Sequence, residues 1–296
     1  MTHLNPLSDL PTELGAVAKA LVEEVARVPG VEAIALGGSY ARGTARADSD
    51  VDLGVYYSER RPLSVVAVRA LVDRFAPTEI ATVTALYEWG PWVNGGAWIQ
   101  TAAGKVDLLY RNIDQVERVI EAARRGELEW HFGQQPPYGF HAVIYLAETH
   151  TCRPVHDPHD VLGPLKRALD SYPRQLREAI VREYLWSTEF TLFHGRHFAA
   201  RGDVYNAVGC LTRAVSLLTQ VLFALNETYF ITDKGALEAI DAFACRPAGY
   251  SGEVCALLAR PGATAVELGA TMQRLGALFS RVIALAPGLY QPKYRL

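Results

Sequence analysis

Residues 37–52 read Gly-Gly-Ser-Tyr-Ala-Arg-Gly-Thr-Ala-Arg-Ala-Asp-Ser-Asp-Val-Asp, and this stretch decides the fold. Mostly apolar runs flank it, at 31–36 on one side and 51–55 on the other. Such runs predict two strands, and the glycine pair predicts a tight turn after the first. Side chains two apart on a strand point to the same face, so Asp50 and Asp52 project together, about 7 Å apart at the backbone.

Two acids beside a glycine-rich turn make a distinctive set of chemical groups. Neighbouring carboxylates repel each other unless a cation lies between them. Oxygen ligands of this kind suit Mg²⁺, which proteins usually hold with one or two carboxylates and substrate phosphates. The turn at Gly37, Gly38 and Ser39 offers backbone N–H groups to a phosphate. A surface turn with solvated aspartates is the simpler alternative, but it explains neither Ser39 nor two acids on one face of an apolar strand. Together the groups indicate phosphoryl or nucleotidyl transfer.

The order of these groups resembles the signature of the polymerase β-like nucleotidyltransferase superfamily. That signature is an apolar strand ending in Gly-Ser, followed by Asp-x-Asp on the next strand, and here it reads Leu-Gly-Gly-Ser at 36–39 and Asp-Val-Asp-Leu at 50–53. Gly43, Thr44 and Ser49 are also typical of the family. Several elements at fixed offsets make this pattern more specific than a lone glycine motif.

The family has a third carboxylate on a later strand, and the candidate here is Asp107. It lies in the run Gly-Lys-Val-Asp-Leu-Leu-Tyr at 104–110, which has high strand propensity. A charge in such a run is costly to bury unless it is paired or bound to metal. An aspartate at a strand edge that faces water is the alternative. In the family this acid holds the second metal ion or accepts the proton of the attacking hydroxyl.

The resemblance implies a full set of ligands. It implies two Mg²⁺ ions and a nucleoside triphosphate, with ATP as the family's usual default, while the base preference stays open. The acids that would hold metal and catalyse are Asp50, Asp52 and Asp107. The residues that would bind nucleotide in this half are Gly37, Gly38, Ser39, Arg42 and Ser49, and Arg46 could neutralise further phosphate charge. Exposed loop arginines are the alternative for Arg42 and Arg46.

Composition sets wider bounds. The chain has 296 residues, half of them apolar and 21% charged, with a net charge of −3. Nucleic-acid binders usually carry a basic surplus, so nucleic acid is not the expected partner. We find no apolar stretch of the length that spans a membrane and no secretory signal at the N-terminus, and we expect a cytoplasmic protein. Four scattered cysteines predict free thiols.

The pattern of the first half predicts a mixed α/β (α+β) sheet domain over residues 1–160. Turn-forming residues concentrate at 126–165 and place the domain boundary near 160. The predicted helices are 11–28, 62–75 and 113–125. The predicted strands are 31–36, 51–57 and several within 78–111, and the apolar run at 140–147 is a strand or a short helix.

Helical periodicity dominates residues 161–296 and predicts an all-α bundle. The predicted helices are 164–171, 173–200, 203–226, 233–243, 251–259 and 263–285. Asn206, the Leu-Thr-Arg at 211–213 and the Thr-Asp-Lys-Gly-Ala at 232–236 resemble bundle motifs of aminoglycoside adenylyltransferases. There a cleft between sheet and bundle binds nucleotide and acceptor, so the resemblance implies that Arg213 and Lys234 contact nucleotide phosphates.

The residues themselves leave alternatives open in this half. Arg213 could instead form an ion pair inside the bundle, and Lys234 could be a surface residue at a helix end. Tyr205 and Tyr229 could stack on a base or ring, or pack in the core. The apolar C-terminal helices could pair with a second copy of the chain.

A general base and a metal cluster are harder to assign. Glu88, Glu183, Glu189 and Asp107 all compete for the role of base, and sequence does not supply the geometry that decides. Six potential metal ligands lie close together in the sequence, but their spacing does not fit a tetrahedral zinc site, and polar loop residues are the alternative. They are His150, Cys152, His156, Asp157, His159 and Asp160.

These observations predict a magnesium-dependent nucleotidyltransferase that transfers a nucleoside monophosphate to a hydroxyl of a small-molecule acceptor, such as an antibiotic. A toxin-type nucleotidyltransferase acting on tRNA or protein is the first alternative, which the near-neutral charge disfavours. A non-catalytic nucleotide-binding or partner-binding protein is the second, which the intact acids disfavour.

Overall fold

The computed structural model describes residues 6–75 and 81–294. The chain forms two compact units: the first contains residues up to Glu121 together with Trp130–Ser171, and the second contains Ala122–Glu129 and the residues from Tyr172 onward. Apart from the excursion at Ala122–Glu129, the chain passes from the first unit to the second after Ser171, whereas the sequence predicted a boundary near 160. The mixed sheet domain and the helical region that follows it confirm the predicted fold class.

The first unit is built on a mixed sheet. Its helices are α1 (Thr12–Val25), α2 (Gly38–Ala41), α3 (Val65–Phe75), α4 (Ile113–Arg124, whose last three residues belong to the second unit), α5 (Val143–Thr151) and α6 (Leu162–Arg167), and a 3-10 turn spans Pro6–Asp9. Its strands are β1 (Ala33–Leu36), β2 (Val51–Tyr57), β3 (Thr82–Val83), β4 (Gly96–Thr101), β5 (Gly104–Asn112), β6 (Trp130–His131), β7 (Phe140–His141) and β8 (Arg153–His156).

Six of the described strands form one sheet in the order β3-β4-β5-β2-β1-β8. Strands β2 and β5 run parallel, and every other pair in that sheet is antiparallel. Strands β6 and β7 form a separate small ribbon. The parallel pair lies inside the sheet and brings the starts of β2 and β5 side by side.

The two faces of β2 differ in chemistry, as period-two alternation requires. Val51, Leu53 and Val55 are fully buried and join the core that α1 and α3 cover. Asp52 and Gly54 alternate with them and are only partly buried. Burial of one face fixes the register of the strand, because a slip by one residue would place the acid in the core.

The second unit is helical. It contains α7 (Arg174–Ala200), α8 (Val204–Leu225), α9 (Ala236–Asp241), α10 (Tyr250–Ala259) and α11 (Ala265–Ala284). These bounds lie close to the predicted helices. Thr264 begins α11 with a capping box, in which its hydroxyl and the Glu267 side chain each accept from the other's backbone N–H.

One described helix contradicts the expectation that nothing in the chain could cross a membrane. Helix α8 is long and apolar enough to do so by length and composition. However, 67% of its most apolar window is buried inside the structure. A helix that packs on most sides in the middle of a bundle is apolar all round for that reason.

The turn-rich stretch at 126–165 holds more structure than its composition predicts. The run at 140–147 contributes both β7 and the start of α5, and β8 adds an edge strand to the sheet beside β1. Pro154 fits there, since an edge strand has one side without ladder hydrogen bonds. Lys166 of α6 donates to the carbonyl oxygens of Thr149, His150 and Cys152, at 3.3, 2.7 and 2.6 Å. These bonds hold α6 in the first unit, beyond the predicted boundary.

Candidate active site

The acids of the Asp-x-Asp motif and the third acid meet on one face of the sheet. Asp52 of β2 and Asp107 of β5 are Cα partners in the parallel pair, and Asp50 immediately precedes β2. Trp98 of β4 is in turn the Cα partner of Asp107. Residues in register on adjacent strands share a face, so Trp98, Asp107 and Asp52 form a row across three strands.

The glycine turn lies directly against Asp52. Gly38 has φ +58°, and a Cβ atom placed on it would lie 1.7 Å from Oδ2 of Asp52. The backbone N–H of Gly37 donates to the carbonyl oxygen of Asp52 at 2.8 Å. This bond uses the Gly37 N–H, so Gly37 does not offer that group to a phosphate as predicted. The first N–H groups of α2, from Gly38 onward, have no partner within the helix because of their position.

Lys105 bridges two of the acids. Its Nζ lies 2.9 Å from Oδ2 of Asp50 and 3.0 Å from Oδ2 of Asp107. Burial alone would lower the pKa of Lys105, but its hydrogen bonds to Asp50 and Asp107 prevail and raise it. Burial raises the pKa of Asp107, although Lys105 opposes the shift. Among the residues the structure describes, the other oxygen of Asp107, Oδ1, is buried without a hydrogen-bond partner.

More negative than positive charge surrounds the carboxylate of Asp52. Burial, followed by the negative charges of Asp107 and Glu148, raises its pKa to about 6. The nearest compensation comes from Arg111, which lies on the same face of β5 and opposes that shift. However, Arg111 already forms an ion pair with Glu148 of α5 through two hydrogen bonds of 2.7 and 2.8 Å. Its guanidinium also lies over the ring of Tyr145. A carboxylate in such surroundings favours a bound cation.

The described side chains alone do not form a complete metal site. In residues 6–75 and 81–294, no group of three or more His, Cys, Asp or Glu side chains is placed to hold a metal ion. The ammonium of Lys105 is the cation between Asp50 and Asp107 in this arrangement. Asp52 and the unpartnered Oδ1 of Asp107 remain as the oxygens that fit a metal ion.

The loop between turn and acids carries the remaining predicted nucleotide ligands of this unit. Arg42 is exposed, and its Nε donates to the carbonyl oxygen of Gly38 at 3.2 Å. Ser49 closes the loop instead: its hydroxyl accepts from the N–H of Arg46 at 2.8 Å. Ser39 lies in α2, and its carbonyl oxygen accepts from the N–H of Thr44.

A tryptophan pair extends the row of side chains beyond Asp107. The rings of Trp89 and Trp98 lie with centroids 4.7 Å apart, and Trp89 is 46% exposed. Several hydrogen bonds fix the loop that carries Trp89. Gln134 accepts from the N–H of Trp92 at 2.9 Å and donates to the carbonyl oxygen of Trp89, while Tyr87 donates its N–H to the carbonyl oxygen of Asn94. The loop therefore holds a partly exposed apolar ring against Trp98, the register partner of Asp107.

The second unit carries the other two predicted nucleotide ligands. Arg213 is exposed on α8 and lies 3.5 Å from the hydroxyl of Ser187, and Lys234 is exposed before α9. A groove of about 610 Å³ surrounds Arg213. Its lining residues are Phe198, Val204, Tyr205, Asn206, Val208, Gly209, Cys210, Thr212 and Arg213. Tyr205 is 88% exposed there, whereas Tyr229 stacks on Tyr172 with ring centroids 4.7 Å apart.

The candidates for a general base have different surroundings. Glu189 is fully buried, and its oxygens accept from Tyr290 Oη and from the N–H groups of Lys293 and Tyr294. These hydrogen bonds occupy the carboxylate and position the C-terminal segment, so Glu189 is not available as a base. Glu88 is exposed and accepts from the N–H of Ala85 at 2.7 Å. Glu183 is exposed on α7, and Asp107 is the Cα register partner of Asp52.

The histidine-rich segment is a structural element. His150 and Cys152 lie at the end of α5, and His156 ends β8. The carboxylate of Asp157 accepts from the N–H groups of Val161 and Leu162 at 2.8 and 2.9 Å, at the start of α6. These contacts favour the loop alternative over zinc binding.

Sequence reasoning missed Lys105, Arg111, Glu148 and the tryptophan pair. The spacing of Lys105, Asp107 and Arg111 on one strand was a usable signal, because residues two and four apart share a face. Nothing local in the sequence connects Arg111 with Glu148, which lies on a helix 37 positions away.

Comparisons with known proteins agree with this site. Residues 18–95 match the family described as nucleotidyltransferase domain, and residues 143–234 match a domain of unknown function (DUF4037). A comparison with curated proteins found no similar protein.

Two solved structures are similar over most of the chain. One is a nucleotidyltransferase-like protein from Exiguobacterium sibiricum, with 15% identity, a TM-score of 0.43, and coverage of 94% of this chain and 78% of that one. The other is a spectinomycin adenyltransferase from Enterococcus faecialis solved with ATP and spectinomycin, with 13% identity, a TM-score of 0.39, and coverage of 93% and 100%. Both scores are too low for either likeness to decide fold or activity. The matched residues contain the glycine turn and the Asp-x-Asp motif, so residues 18–95 are a nucleotidyltransferase domain, and this match supports the predicted assignment to the polymerase β-like superfamily and to the nucleotidyltransferase enzymes.

Proposed function

We propose that the protein transfers a nucleoside monophosphate from a nucleoside triphosphate, with ATP as the first candidate, to a hydroxyl of a small-molecule acceptor. The observation that carries the proposal is the adjacency of Gly38, Asp52 and Asp107. The two acids are register partners, and the turn packs against one of them. This arrangement puts the glycine turn next to two carboxylates, and around Asp52 negative charge exceeds positive charge.

Magnesium fits these residues. Asp52 has a pKa raised to about 6 by burial and by the like charges of Asp107 and Glu148, and Oδ1 of Asp107 is a buried acceptor without a partner. Oxygen ligands of this kind suit a hard divalent cation. Asp50, Asp52 and Asp107 are the proposed ligands, and a bound ion would neutralise phosphate charge during transfer. The resemblance implies two such ions.

The turn and its loop are proposed to hold the triphosphate. Ser39 and the first N–H groups of α2 face the phosphates, and Arg42 adds an exposed positive charge from the same loop. Arg213 and Lys234 of the second unit are proposed to contact phosphates as well. Both are exposed, as that role requires.

The proposed reaction makes one bond and breaks one. The acceptor oxygen bonds to the α-phosphorus, and the bond from that phosphorus to the bridging oxygen breaks. Pyrophosphate leaves with the electron pair, and the hydroxyl proton passes to a carboxylate. Asp107 is the proposed proton acceptor among the four candidates, because it lies in the row of acids.

A small acceptor fits the surroundings of Asp107 better than a nucleic acid does. Trp98 is the register partner of Asp107, and the ring of Trp89 against Trp98 is 46% exposed, which suits contact with a single ring of an acceptor. The net charge of −3 gives no basic surplus for a long phosphate backbone. Growth arrest upon expression that Asp52→Asn relieves would instead indicate the toxin-type activity.

The test is magnesium-dependent release of pyrophosphate from each of the four nucleoside triphosphates, with a library of hydroxylated acceptors. We expect Asp52→Asn to abolish turnover and to leave the fold intact. Asp48→Asn is the matched control, because Asp48 is an exposed acid in the same loop. Equal turnover in wild type and Asp52→Asn would refute the proposal.

A further inference from the structure

Lys105 occupies a place in this site where a second metal ion would be expected. Its ammonium lies 2.9 Å from Asp50, which precedes β2, and 3.0 Å from Asp107 on the adjacent strand β5. We propose that Lys105 substitutes for one of the two divalent cations, so that the site works with a single divalent cation held by Asp52, Asp107 and the nucleotide phosphates. This inference rests on the proposed function and revises its number of metal ions.

The oxygens of Asp107 divide between the two cations. Oδ2 accepts from Lys105, while Oδ1 is buried and has no hydrogen-bond partner among the described residues. A carboxylate can serve two cations in this way, one on each oxygen. Oδ1 is therefore the oxygen left for a metal ion, and Asp52 is the neighbouring carboxylate in register with it.

The charges of the site support one ion. Asp50, Asp52 and Asp107 carry three negative charges, and Lys105 supplies one positive charge. Arg111 and Glu148 pair with each other and add nothing to the balance. Before nucleotide binds, the remainder of two negative charges on these protein groups equals the charge of one divalent cation. A second divalent ion between Asp50 and Asp107 would lie against an ammonium group, and like charges at that separation repel strongly.

The position of Lys105 is set by the sheet. Lys105 and Asp107 are two apart on β5 and share a face, and Asp50 immediately precedes the neighbouring β2. The side chain of Lys105 is 34% exposed, so part of its stem packs within the protein. The alternative role for Lys105 is to occupy the site only in the absence of metal. It would then leave both acids when two ions bind, so the number of bound ions distinguishes this role from the proposed one.

The experiment counts Mn²⁺ ions, since Mn²⁺ replaces Mg²⁺ and is detected by anomalous scattering and by electron paramagnetic resonance. Crystals and solutions of the full chain receive Mn²⁺ and a non-hydrolysable ATP analogue. We expect one ion per site in the wild type, with Lys105 still on Asp50 and Asp107, and two ions in Lys105→Met. Lys19→Met is the matched control, because Lys19 is exposed on α1, and it should retain one ion.

Each outcome decides between the alternatives. Two ions in the wild type, or an unchanged count of one in Lys105→Met, would overturn the inference and leave the proposed function standing. No bound Mn²⁺ at all in the wild type would overturn both. If Lys105→Met does not fold, the wild-type count and the contacts of Lys105 in that crystal decide alone.

Discussion

Gly38 and Asp52 are in such close contact that no side chain fits between them: a Cβ atom on Gly38 would lie 1.7 Å from Oδ2 of the aspartate. Gly43, in the same loop, also has a positive φ, +69°, but a Cβ atom there would meet nothing within 4 Å. Both glycines therefore adopt a left-handed backbone conformation, but only Gly38 is in contact with Asp52.

The first prediction uses this difference. Gly38→Ala should lower kcat/KM about 100-fold, because it displaces the Asp52 carboxylate by the order of an ångström. Gly43→Ala should leave kcat/KM near the wild-type value and cost about 1 kcal/mol of stability, the usual cost of a left-handed alanine. Pyrophosphate release and thermal unfolding measure the two effects. Equal activities in the two variants would show that Asp52 tolerates the displacement.

The sequence predicts best those features that depend on residues close together in the chain. The Asp-x-Asp spacing predicted two acids on one strand face, and the structure places Asp52 on the partly buried face of β2 and Asp50 immediately before that strand. Long periodic segments predicted α7 and α8 to within a residue or two. These features depend on neighbours in the sequence, so the sequence alone carries them.

The parts that were missed depend on distant contacts. Strand β8 is four residues long and contains a proline, and it becomes a strand only because β1 lies beside it. The pairing of Arg111 with Glu148 needs α5 to pack near β5. The pattern of a single sequence does not specify such packing. By contrast, once β5 is recognised as a strand, its two-residue spacing places Lys105 on the same face as Asp107.

The second prediction concerns pH. His141 is buried and stacks on Trp130, and burial lowers its pKa to about 4. The unfolded chain takes up this proton near the ordinary pKa of 6.5 while the folded state does not. The contribution of His141 to stability is thus complete above pH 6.5 and declines as the pH falls toward 4.

Between pH 7 and pH 5 this group should reduce the free energy of unfolding by about 2 kcal/mol. His141→Gln should remove that part of the pH dependence, and His159→Gln, at an exposed histidine, should keep it. Urea unfolding at a series of pH values gives the comparison. A wild-type slope in His141→Gln would contradict the prediction.

The third prediction concerns Glu189, which the sequence offered as a general base. Its carboxylate accepts from the N–H groups of Lys293 and Tyr294, and the ring of Tyr294 stacks on Phe193 at a centroid distance of 4.9 Å. Glu189→Gln should cost about 2 kcal/mol, since hydrogen bonds to a charged acceptor are lost. Hydrogen exchange at the amides of Lys293 and Tyr294 should become faster.

Glu183→Gln is the control on the same helix, because Glu183 is exposed. It should leave stability and the exchange of those amides unchanged. A loss of kcat in Glu189→Gln without a loss of stability would assign Glu189 to the chemistry instead of to the C-terminal segment.

The last prediction concerns Trp89, whose ring is 46% exposed while its loop is tied down by Gln134. The rings of Trp89 and Trp98 are in contact and Trp98 is the register partner of Asp107, so we expect an acceptor bound at Asp107 to contact the ring of Trp89. Trp89→Ala should raise the KM for the acceptor about 3- to 10-fold, the loss expected for one ring contact, and leave the KM for nucleotide unchanged. Phe132→Ala, at an aromatic ring that is 70% exposed, is the control and should alter neither. Steady-state kinetics with an acceptor that supports pyrophosphate release make the comparison, and an unchanged acceptor KM in Trp89→Ala would mean that the acceptor reaches Asp107 from another side.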